Sequence, residues 1–402
     1  MCEWVGVVCG YFPATNSRYL EKIQLNSRRL NRTIPSDINK YVVNLCYLDL
    51  GNNSFSGHLP SFLNLSYLQS LYLSQNNFTS IPHDCFYGLE NLELLDLSYN
   101  TNLSPLTFPT NLNTNSRLIV IILENTNLIG SLPDIFDSFP VLQTFSLSEN
   151  NLTKVLPKSF SKLTKLIRLK LNHPKDNKLS DTIQFLSFMP QLFQVNLEGN
   201  SFEGSIPDLS NCKHLKYLFL ANNRLTGVVL PFLGLLNKIY QVSLENNWLQ
   251  GPLPLFNKVR TPKVNLASNE FCLDHSGPCD HRVTTLLQVV QEFHYPYLLA
   301  QSWRGNNPCE TWNFITCDEN GNIRTVNLTN SNLTGLISPS FKNLMDLCQL
   351  YLGENRLNGS IPESLTSLQQ LKFLDVSNNN LSKNLPPFST KIMVITTGNV
   401  FL

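Results

Sequence analysis

The sequence predicts a solenoid in which short, similar coils stack one on another. The pattern Leu-x-x-Leu-x-Leu-x-x-Asn recurs along most of the chain, as at 45–53, 215–223 and, with Val as the last apolar residue, 371–379. The apolar residue that ends each predicted strand returns every 22 to 26 residues, which is the period of a leucine-rich repeat. The predicted fold class is therefore a leucine-rich-repeat solenoid. It is an α/β-type superhelix, with short parallel strands on the concave face and 3-10 or irregular structure on the convex face.

The strand-ending residues divide this array into two blocks. They are Leu25, Leu50, Leu73, Leu97, Leu123, Leu147, Leu171, Leu197, Leu220, Leu244 and Leu266 in the first block and Leu328, Leu352 and Val376 in the second. The 62-residue step between Leu266 and Leu328 does not follow the period. We expect an N-terminal cap at 1–19, a first block of about eleven coils at 20–271, a non-repeat island at 272–322, a second block of three coils at 323–388 and a tail at 389–402.

Each position of the repeat has a physical reason. Alternating leucines point into the core because successive side chains of a strand point to opposite faces. The asparagine can bond the backbone groups that a tight turn would otherwise bury without partners. The seventh coil carries extra residues at 173–177, where the turn should be, so we expect a projecting loop at the edge of the concave face.

A short motif of tryptophan and cysteine stands immediately before each block. The first copy runs from Cys2 to Cys9 and the second from Cys309 to Cys317. Because the first coil of a solenoid exposes apolar residues, each motif is expected to be a disulfide-bonded cap over that end. The first copy opens the chain with no secretion signal before it, so we expect the sequence to be a fragment or a partial gene model.

Composition indicates an oxidising compartment and argues against nucleic-acid binding. Six of the ten cysteines fall in three close pairs, while the net charge is only +1 and charged residues make up 15%. Glycosylation sequons agree, although an asparagine-rich repeat also generates them by chance. They lie at Asn31, Asn52, Asn64, Asn77, Asn102, Asn151, Asn327, Asn332, Asn358 and Asn380.

The island contains a predicted helix. Cys272 and Cys279 flank a Gly-Pro turn, and Asp280 is placed to N-cap the amphipathic stretch that follows. Pro296 is expected to end this helix. The spacing Cys272-x-x-His275 with Cys279-x-His281 has the residue types of a zinc site, and a disulfide with two surface histidines is the alternative.

The island also carries the most specific resemblance. The segments 271–273, 277–283 and 302–309, together with Leu-Asp-Val-Ser-Asn-Asn at 374–379, resemble the ectodomain of the plant transmembrane kinase (TMK) family of receptor-like kinases. The resemblance covers nearly the whole chain and favours the Cys272–Cys279 disulfide over zinc.

The resemblance implies a twisted superhelical solenoid with a non-repeat insertion, on the extracellular face of the plasma membrane. It implies auxin and growth signalling, an auxin-binding protein as extracellular partner, and a receptor or co-receptor dimer. The family's signal peptide, transmembrane helix and Ser/Thr kinase are not in this sequence, so we expect no enzyme activity from it.

Catalytic, cofactor and metal sites are not predicted. The sequence contains no G-x-S-x-G, phosphate-binding loop or kinase signature. The stretch 318–322 resembles a calcium loop only faintly, and a turn before a strand is the better interpretation. Glu149, Glu198 and Glu245 recur because the repeat recurs, and Cys46, Cys85, Cys212 and Cys348 are expected to pack singly, with a long-range bridge left open.

The predicted partner-binding surface lies on coils seven to eleven and the island. Exposed aromatic residues on one face often mark contacts with a binding partner, although isolated exposed aromatic residues are also common on surfaces that bind nothing. The residues proposed for this surface are Phe193, Tyr217, Phe219, Tyr240, Trp248, Tyr295 and Tyr297. No sequon lies between Asn151 and Asn327, so this stretch would carry no N-glycan.

The chain is therefore expected to be a ligand-recognition ectodomain that binds a protein or peptide and no nucleic acid. One alternative is a secreted inhibitor of cell-wall-degrading enzymes, similar to the polygalacturonase-inhibiting leucine-rich-repeat proteins. Another is a kinase-less receptor that acts as a decoy.

Overall fold

The computed structural model describes residues 2–63, 65–175, 178–256, 262–383 and 385–401. Each coil contributes a short strand to a long sheet, which confirms the leucine-rich-repeat solenoid. In these ranges the sheet of the first block has twelve strands, and the first two form an antiparallel hairpin while each later strand is parallel to its neighbour. They are Val7–Phe12, Ser17–Gln24, Tyr47–Asp49, Ser70–Tyr72, Leu94–Asp96, Val120–Ile122, Thr144–Ser146, Arg168–Lys170, Gln194–Asn196, Tyr217–Phe219, Gln241–Ser243 and Lys263–Asn265.

The second block repeats this plan with a new hairpin. Its sheet consists of Ile315–Cys317, Ile323–Asn327, Gln349–Tyr351, Phe373–Asp375 and Met393–Ile395. The last strand is parallel to Phe373–Asp375 and lies where the sequence predicted a tail. The structure therefore has a fourth coil here, in which the partly buried Ile392 and Val394 pack against the second core and Val394 lies beside Leu374.

Further strands and short helices form the turns and the outer side of the coils. The additional strands are Ser56–His58, Asn77–Ser80, Ile129–Gly130, Asn151–Leu152, Lys154–Val155, Leu179–Thr182, Ser201–Gly204, Arg224–Val228, Trp248–Gly251, Glu270–Phe271, Thr334–Leu336, Arg356–Gly359, Asn380–Lys383 and Val400–Phe401. The 3-10 helices are Ile38–Lys40, Thr110–Thr114, Phe136–Ser138, Lys158–Lys162, Gln184–Phe188, Pro339–Asn343 and Glu363–Ser367. The α-helices are α1 (Phe232–Leu235), α2 (His281–Gln291), α3 (Tyr297–Ala300) and α4 (Pro308–Thr311).

The repeat asparagines bond backbone groups of the turn, as the sequence predicts, and they also join neighbouring coils. The amide of Asn223 donates to the carbonyl oxygens of Leu197, Leu220 and Ala221 at 2.9, 3.1 and 3.2 Å. Its side-chain oxygen accepts the N–H of Phe202 at 3.0 Å. One buried side chain thus bonds four backbone groups in two neighbouring coils, which is why the turn requires an amide.

The apolar side chains form two cores, one in each block. The first core extends from Ile34 to Leu249 and the second from Cys272 to Leu381. The island belongs to the second core, where Trp303 and Trp312 stack with ring centroids 4.8 Å apart. In the first cap, by contrast, Trp4 is 65% exposed.

The island helix begins as predicted but ends earlier than expected. The carboxylate of Asp280 accepts the N–H of Arg282 at 2.8 Å and caps α2. The helix ends at Gln291, before two residues with left-handed backbone, His294 and Tyr295. Pro296 therefore does not end α2 but begins α3, because its fixed φ suits the residue that precedes a helix.

Disulfides join Cys2 to Cys9, Cys272 to Cys279 and Cys309 to Cys317. Among the described residues the other four cysteines, Cys46, Cys85, Cys212 and Cys348, are free thiols. Burial raises the pKa of Cys212 to about 11, so this thiol is protonated and unreactive at neutral pH.

Candidate functional site

The solvent-facing side of the twelve-stranded sheet carries a cluster of aromatic rings in coils seven to eleven. The Tyr217 ring is central, with centroids 5.6 Å from Phe193, 6.1 Å from Phe219 and 5.8 Å from Tyr240. Tyr217 and Phe219 flank the buried Leu218 in their strand, so the alternation of the strand turns both rings away from the core. The sequence placed these four residues on one surface, and the structure brings them into contact.

Three cations lie over the same rings. The Lys216 ammonium is 5.5 Å from the Tyr217 centroid and 5.4 Å from that of Tyr240, and the Lys263 ammonium is 5.8 Å from Tyr240. The Arg168 guanidinium lies 5.6 Å from the Phe193 centroid. We call Arg168, Phe193, Lys216, Tyr217, Phe219, Tyr240 and Lys263 the aromatic–basic patch. The sequence pattern predicts the rings of this patch but not its cations, which lie on alternate coils and become neighbours only when the coils stack.

Trp248 and Tyr297 form a second, separate group at the island. Their rings pack edge to face with centroids 5.6 Å apart. The Arg304 guanidinium lies 4.9 Å from the Trp248 centroid, and that of Arg224 lies 5.6 Å from Tyr297. Trp248 belongs to the six-stranded sheet that includes Arg224–Val228 and Trp248–Gly251. The aromatic–basic patch lies on the twelve-stranded sheet, so Trp248 does not share its face.

Tyr295 is a buried part of the junction between the island and the first block. It is only 8% exposed, and burial raises its pKa to about 12. Its carbonyl oxygen accepts the Thr226 hydroxyl at 2.6 Å, and a Cβ added at Gly227 would lie 2.5 Å from its ring. The ring thus seals the island against the coil and is not available as an open contact surface.

The island is held by both blocks. On one side the amide of Gln250 donates to the Trp303 carbonyl oxygen at 2.8 Å, and Gln250 is buried. On the other side the backbone N–H of Leu336 donates to the Glu292 carbonyl oxygen at 3.2 Å, next to Gly335. These contacts tie the island to both blocks.

Between the island and the two blocks lies a cleft of about 880 Å³. Its walls come from the outer side of the first block, from residues 291–298 and from the start of the second block. Polar groups such as those of Thr182, Glu203, His294 and Asn332 line much of it. Asn332 is also a predicted sequon, so a glycan at this position would stand at the cleft.

Two carboxylates that the sequence placed in separate coils meet at one hydroxyl. Ser243 Oγ lies 3.0 Å from Glu198 Oε1 and 2.7 Å from Glu245 Oε2. Glu198 reaches two coils along the sheet to this serine, a distance that the linear sequence does not reveal. In the described part of the chain, His, Cys, Asp and Glu side chains nowhere gather in threes as a metal ion would require.

The zinc interpretation of the island is wrong because the two cysteines that would bind the metal are joined in a disulfide. Cys272 and Cys279 form a disulfide, while His275 and His281 pair with the carboxylates of Asp274 and Asp280. Disulfide sulfurs are not the thiolates that zinc binds.

The stretch 318–322 is the turn of the second hairpin, as expected. Asp318 Oδ1 accepts the backbone N–H groups of Asn320 and Asn322 at 3.0 and 2.9 Å. The hydrogen bond from the Asn322 N–H, followed by other local contacts, lowers the pKa of this carboxyl. Its oxygens thus hold the turn that aligns the two strands.

The predicted sequons lie at the surface where the structure describes them. Asn31, Asn52, Asn77, Asn102, Asn327, Asn332, Asn358 and Asn380 are exposed and Asn151 is half-buried. Asn64 and part of the expected loop at 173–177 fall outside the described residues. Glycosylation at these sites stays a prediction, as does partner binding at the aromatic residues.

None of the helices in the described ranges combines the length and the apolar character that crossing a bilayer demands.

Known families match the repeats and the internal cap. The leucine rich repeat family matches residues 59–103 and 321–381 in one description and 44–65, 141–163 and 214–236 in another. The leucine rich repeat N-terminal domain matches residues 279–318, within the chain. The second Trp/Cys motif is therefore a cap of the type that usually begins such an array.

Two relatives and a solved structure also indicate a leucine-rich-repeat protein. Over 86% of its length the chain is 38% identical to receptor-like kinase TMK2 of Arabidopsis thaliana, and over 88% it is 42% identical to receptor-like kinase TMK4 of the same plant. The match spans 39% and 37% of those two proteins. The ectodomain of the Arabidopsis receptor kinase HAESA, solved with a peptide hormone, has the same fold, with a TM-score of 0.56 and 23% identity over all of this chain and 69% of that one. The chain is thus a leucine-rich-repeat protein, and it belongs to the family of the TMK receptor-like kinases.

Proposed function

We propose that this chain is the ligand-recognition ectodomain of a plant receptor-like kinase and binds an extracellular protein or peptide on the aromatic–basic patch. The observation that carries the proposal is the contact between four aromatic rings and three cations on a strand face. Aromatic and arginine side chains are enriched where binding energy concentrates in protein interfaces. Tyr240 is 45% exposed, so part of the cluster is open to solvent.

The distribution of sequons supports the same surface. No sequon occurs between Asn151 and Asn327, while both flanks contain several. N-glycans are bulky and would obstruct a partner on the faces that carry them. Coils seven to eleven therefore form the stretch that a macromolecular partner can approach without meeting a glycan, whereas a glycan at Asn332 would stand at the cleft beside the island.

Contacts with both blocks hold the island in place against the coils that carry the aromatic–basic patch. We propose that this fixed arrangement presents the patch to a partner. Trp248 and Tyr297 add a second, separate group of aromatic rings beside the junction. An auxin-binding protein is the partner that the TMK resemblance favours, and HAESA gives a precedent for a peptide hormone on this fold. We further propose that the protein faces the cell exterior at the plasma membrane and that ligand binding brings two receptors, or a receptor and a co-receptor, together.

The test compares two matched pairs of substitutions. Y217E with F219E places charge in the patch, and F373E with Y351E places it at the equivalent positions of the second block, where the two rings are 4.9 Å apart. Binding is measured by biolayer interferometry against purified auxin-binding proteins and secreted plant peptides. We expect Y217E/F219E to weaken a bound partner at least tenfold and F373E/Y351E to leave its affinity within about twofold.

Equal affinity in both pairs would contradict the proposed surface. Inhibition of a purified polygalacturonase by the unmodified chain would instead favour the secreted-inhibitor alternative.

A further inference from the structure

Positive charge is concentrated along the side of coils seven to eleven that leads into the strands. In coil seven, residues 158–170 contain five cations and no carboxylate. Coils nine to eleven carry further lysines in the corresponding segments. The cations are Lys158, Lys162, Lys165, Arg168, Lys170, Lys213, Lys216, Lys238 and Lys263.

Coil four has the opposite charge at the equivalent positions. In coil four, Glu90, Glu93 and Asp96 lead into or form the strand, and residues 83–96 contain no lysine or arginine. Because the chain as a whole has a net charge of only +1, the basic stretch is a local feature and not a property of the composition. A local field of one sign steers and selects partners of the other sign.

The cations of the patch are held in place before any partner arrives. The Lys216 ammonium lies within 5.5 Å of the centroids of two tyrosine rings, which limits its motion while leaving its charge uncompensated. Among the ion pairs of the described residues, Arg168, Lys216 and Lys263 have no carboxylate partner, whereas Lys170 pairs with Glu124 at 3.6 Å. Three positioned charges are thus free for a ligand.

The spacing of these charges restricts the shape of the ligand. Arg168, Lys216 and Lys263 belong to coils seven, nine and eleven, and two strand intervals amount to roughly 10 Å. Three residues of an extended chain span about the same distance. Between the cations lie aromatic rings against which the intervening side chains can pack.

We infer that the aromatic–basic patch binds an extended acidic segment of a protein or peptide, with a carboxylate at about every third residue and apolar or aromatic side chains between. This inference rests on the proposed function and adds the chemistry of the ligand. A basic or neutral ligand would leave the three cations desolvated without partners, which costs affinity.

The experiment uses three synthetic twelve-residue peptides and the full chain in isothermal titration calorimetry at low salt. The peptides are (Glu-Ser-Tyr)4, its glutamine counterpart (Gln-Ser-Tyr)4, and an isomer of the first with its four glutamates adjacent. The protein variants are R168Q, K216Q and K263Q. The matched control is K372Q, because Lys372 precedes strand Phe373–Asp375 as Lys216 precedes strand Tyr217–Phe219.

We expect the spaced acidic peptide to bind at least tenfold more tightly than the other two. Each patch variant should weaken it about threefold, K372Q should not, and added salt should weaken it further. Equal binding of the spaced and clustered peptides, or equal effects of K216Q and K372Q, would overturn the inference. Sodium polygalacturonate binding that depends on the patch, without peptide binding, would also overturn it in favour of an acidic polysaccharide.

The failure of this inference can be told apart from that of the proposed function. A partner whose binding is lost in Y217E/F219E but unchanged in the three glutamine variants would leave the surface in place and reject its acidic ligand.

Discussion

Replacing Gly335 with alanine tests whether the island is fixed between the two blocks. Gly335 has φ of +98°, and an added Cβ would lie 2.0 Å from the carbonyl oxygen of Glu292, at the end of α2. The neighbour is backbone, so it cannot rotate away as a side chain would. Alanine must therefore push the island from the second block.

Gly359 provides a matched control at the same position of the next coil. It has φ of +78°, but its added Cβ would meet only a methyl group of Leu336, at 2.8 Å. The left-handed conformation costs alanine about 1 to 2 kcal/mol at either position. In G335A, overpacking adds about 1 to 3 kcal/mol, and loss of the hydrogen bond from Leu336 to Glu292 adds about 1 kcal/mol. We expect about 3 to 6 kcal/mol for G335A and about 1 to 2 kcal/mol for G359A.

Hydrogen exchange measured by mass spectrometry separates the two variants. The excess cost of at least about 2 kcal/mol in G335A should appear as roughly 30-fold faster exchange of the amides of α2 than in G359A. Far-ultraviolet circular dichroism of both variants checks that the solenoid itself is intact. Identical protection of α2 in the two variants would refute the claim that the second block holds the island.

Three further predictions concern the island, the repeat and the caps. Replacing Asp280 with alanine should destabilise α2 by about 1 kcal/mol, whereas D280N should keep the cap and lose only the charge. Because the hydrogen bond from its arginine partner lowers the pKa of Asp280, the charge stabilises the fold above about pH 4. The difference in melting temperature between the unmodified chain and D280N should therefore vanish as the pH falls through that lowered pKa, and a constant difference would contradict it. N223A removes four hydrogen bonds to backbone groups of two neighbouring coils and should cost roughly 3 kcal/mol in urea denaturation, and a change below about 1 kcal/mol would count against the role of the asparagine. Trp4 is exposed and the stacked Trp303 and Trp312 are buried, so W4F should remove much of the iodide-quenchable fluorescence while W303F removes little of it, and the reverse result would be incompatible with the two caps as described.

The repeat could be predicted from the sequence because each coil is a local unit. Leucines at fixed spacing determine the strands, and the asparagine determines the turn, as at Asn223. The N-cap at Asp280 was also visible, since it depends on residues next to it in the chain. The fourth coil of the second block could not be predicted because Ile392 and Val394, which pack against the core from partly buried positions, do not match the leucine pattern.

The site could be predicted only in part. The four rings around Tyr217 were found because they recur at outward positions of neighbouring coils. The placement of Tyr295 could not be foreseen, since its burial depends on Gly227, 68 positions earlier. The pairing of Trp248 with Tyr297 likewise depends on how the island folds back across the first block, which no local pattern encodes.

The position of the island has a consequence for the order in which the protein folds. Each block contains its own hairpin of neighbouring strands, such as Ile315–Cys317 with Ile323–Asn327, and such local pairs form quickly. Coils can then add to either hairpin independently, since repeat arrays propagate from any formed unit. Helix α2 belongs to the core of the second block and also contacts strands of the first, so its packing is complete only when both blocks have formed. A lesion in either block would leave part of this apolar helix exposed, which is the kind of surface that promotes aggregation of incompletely folded chains.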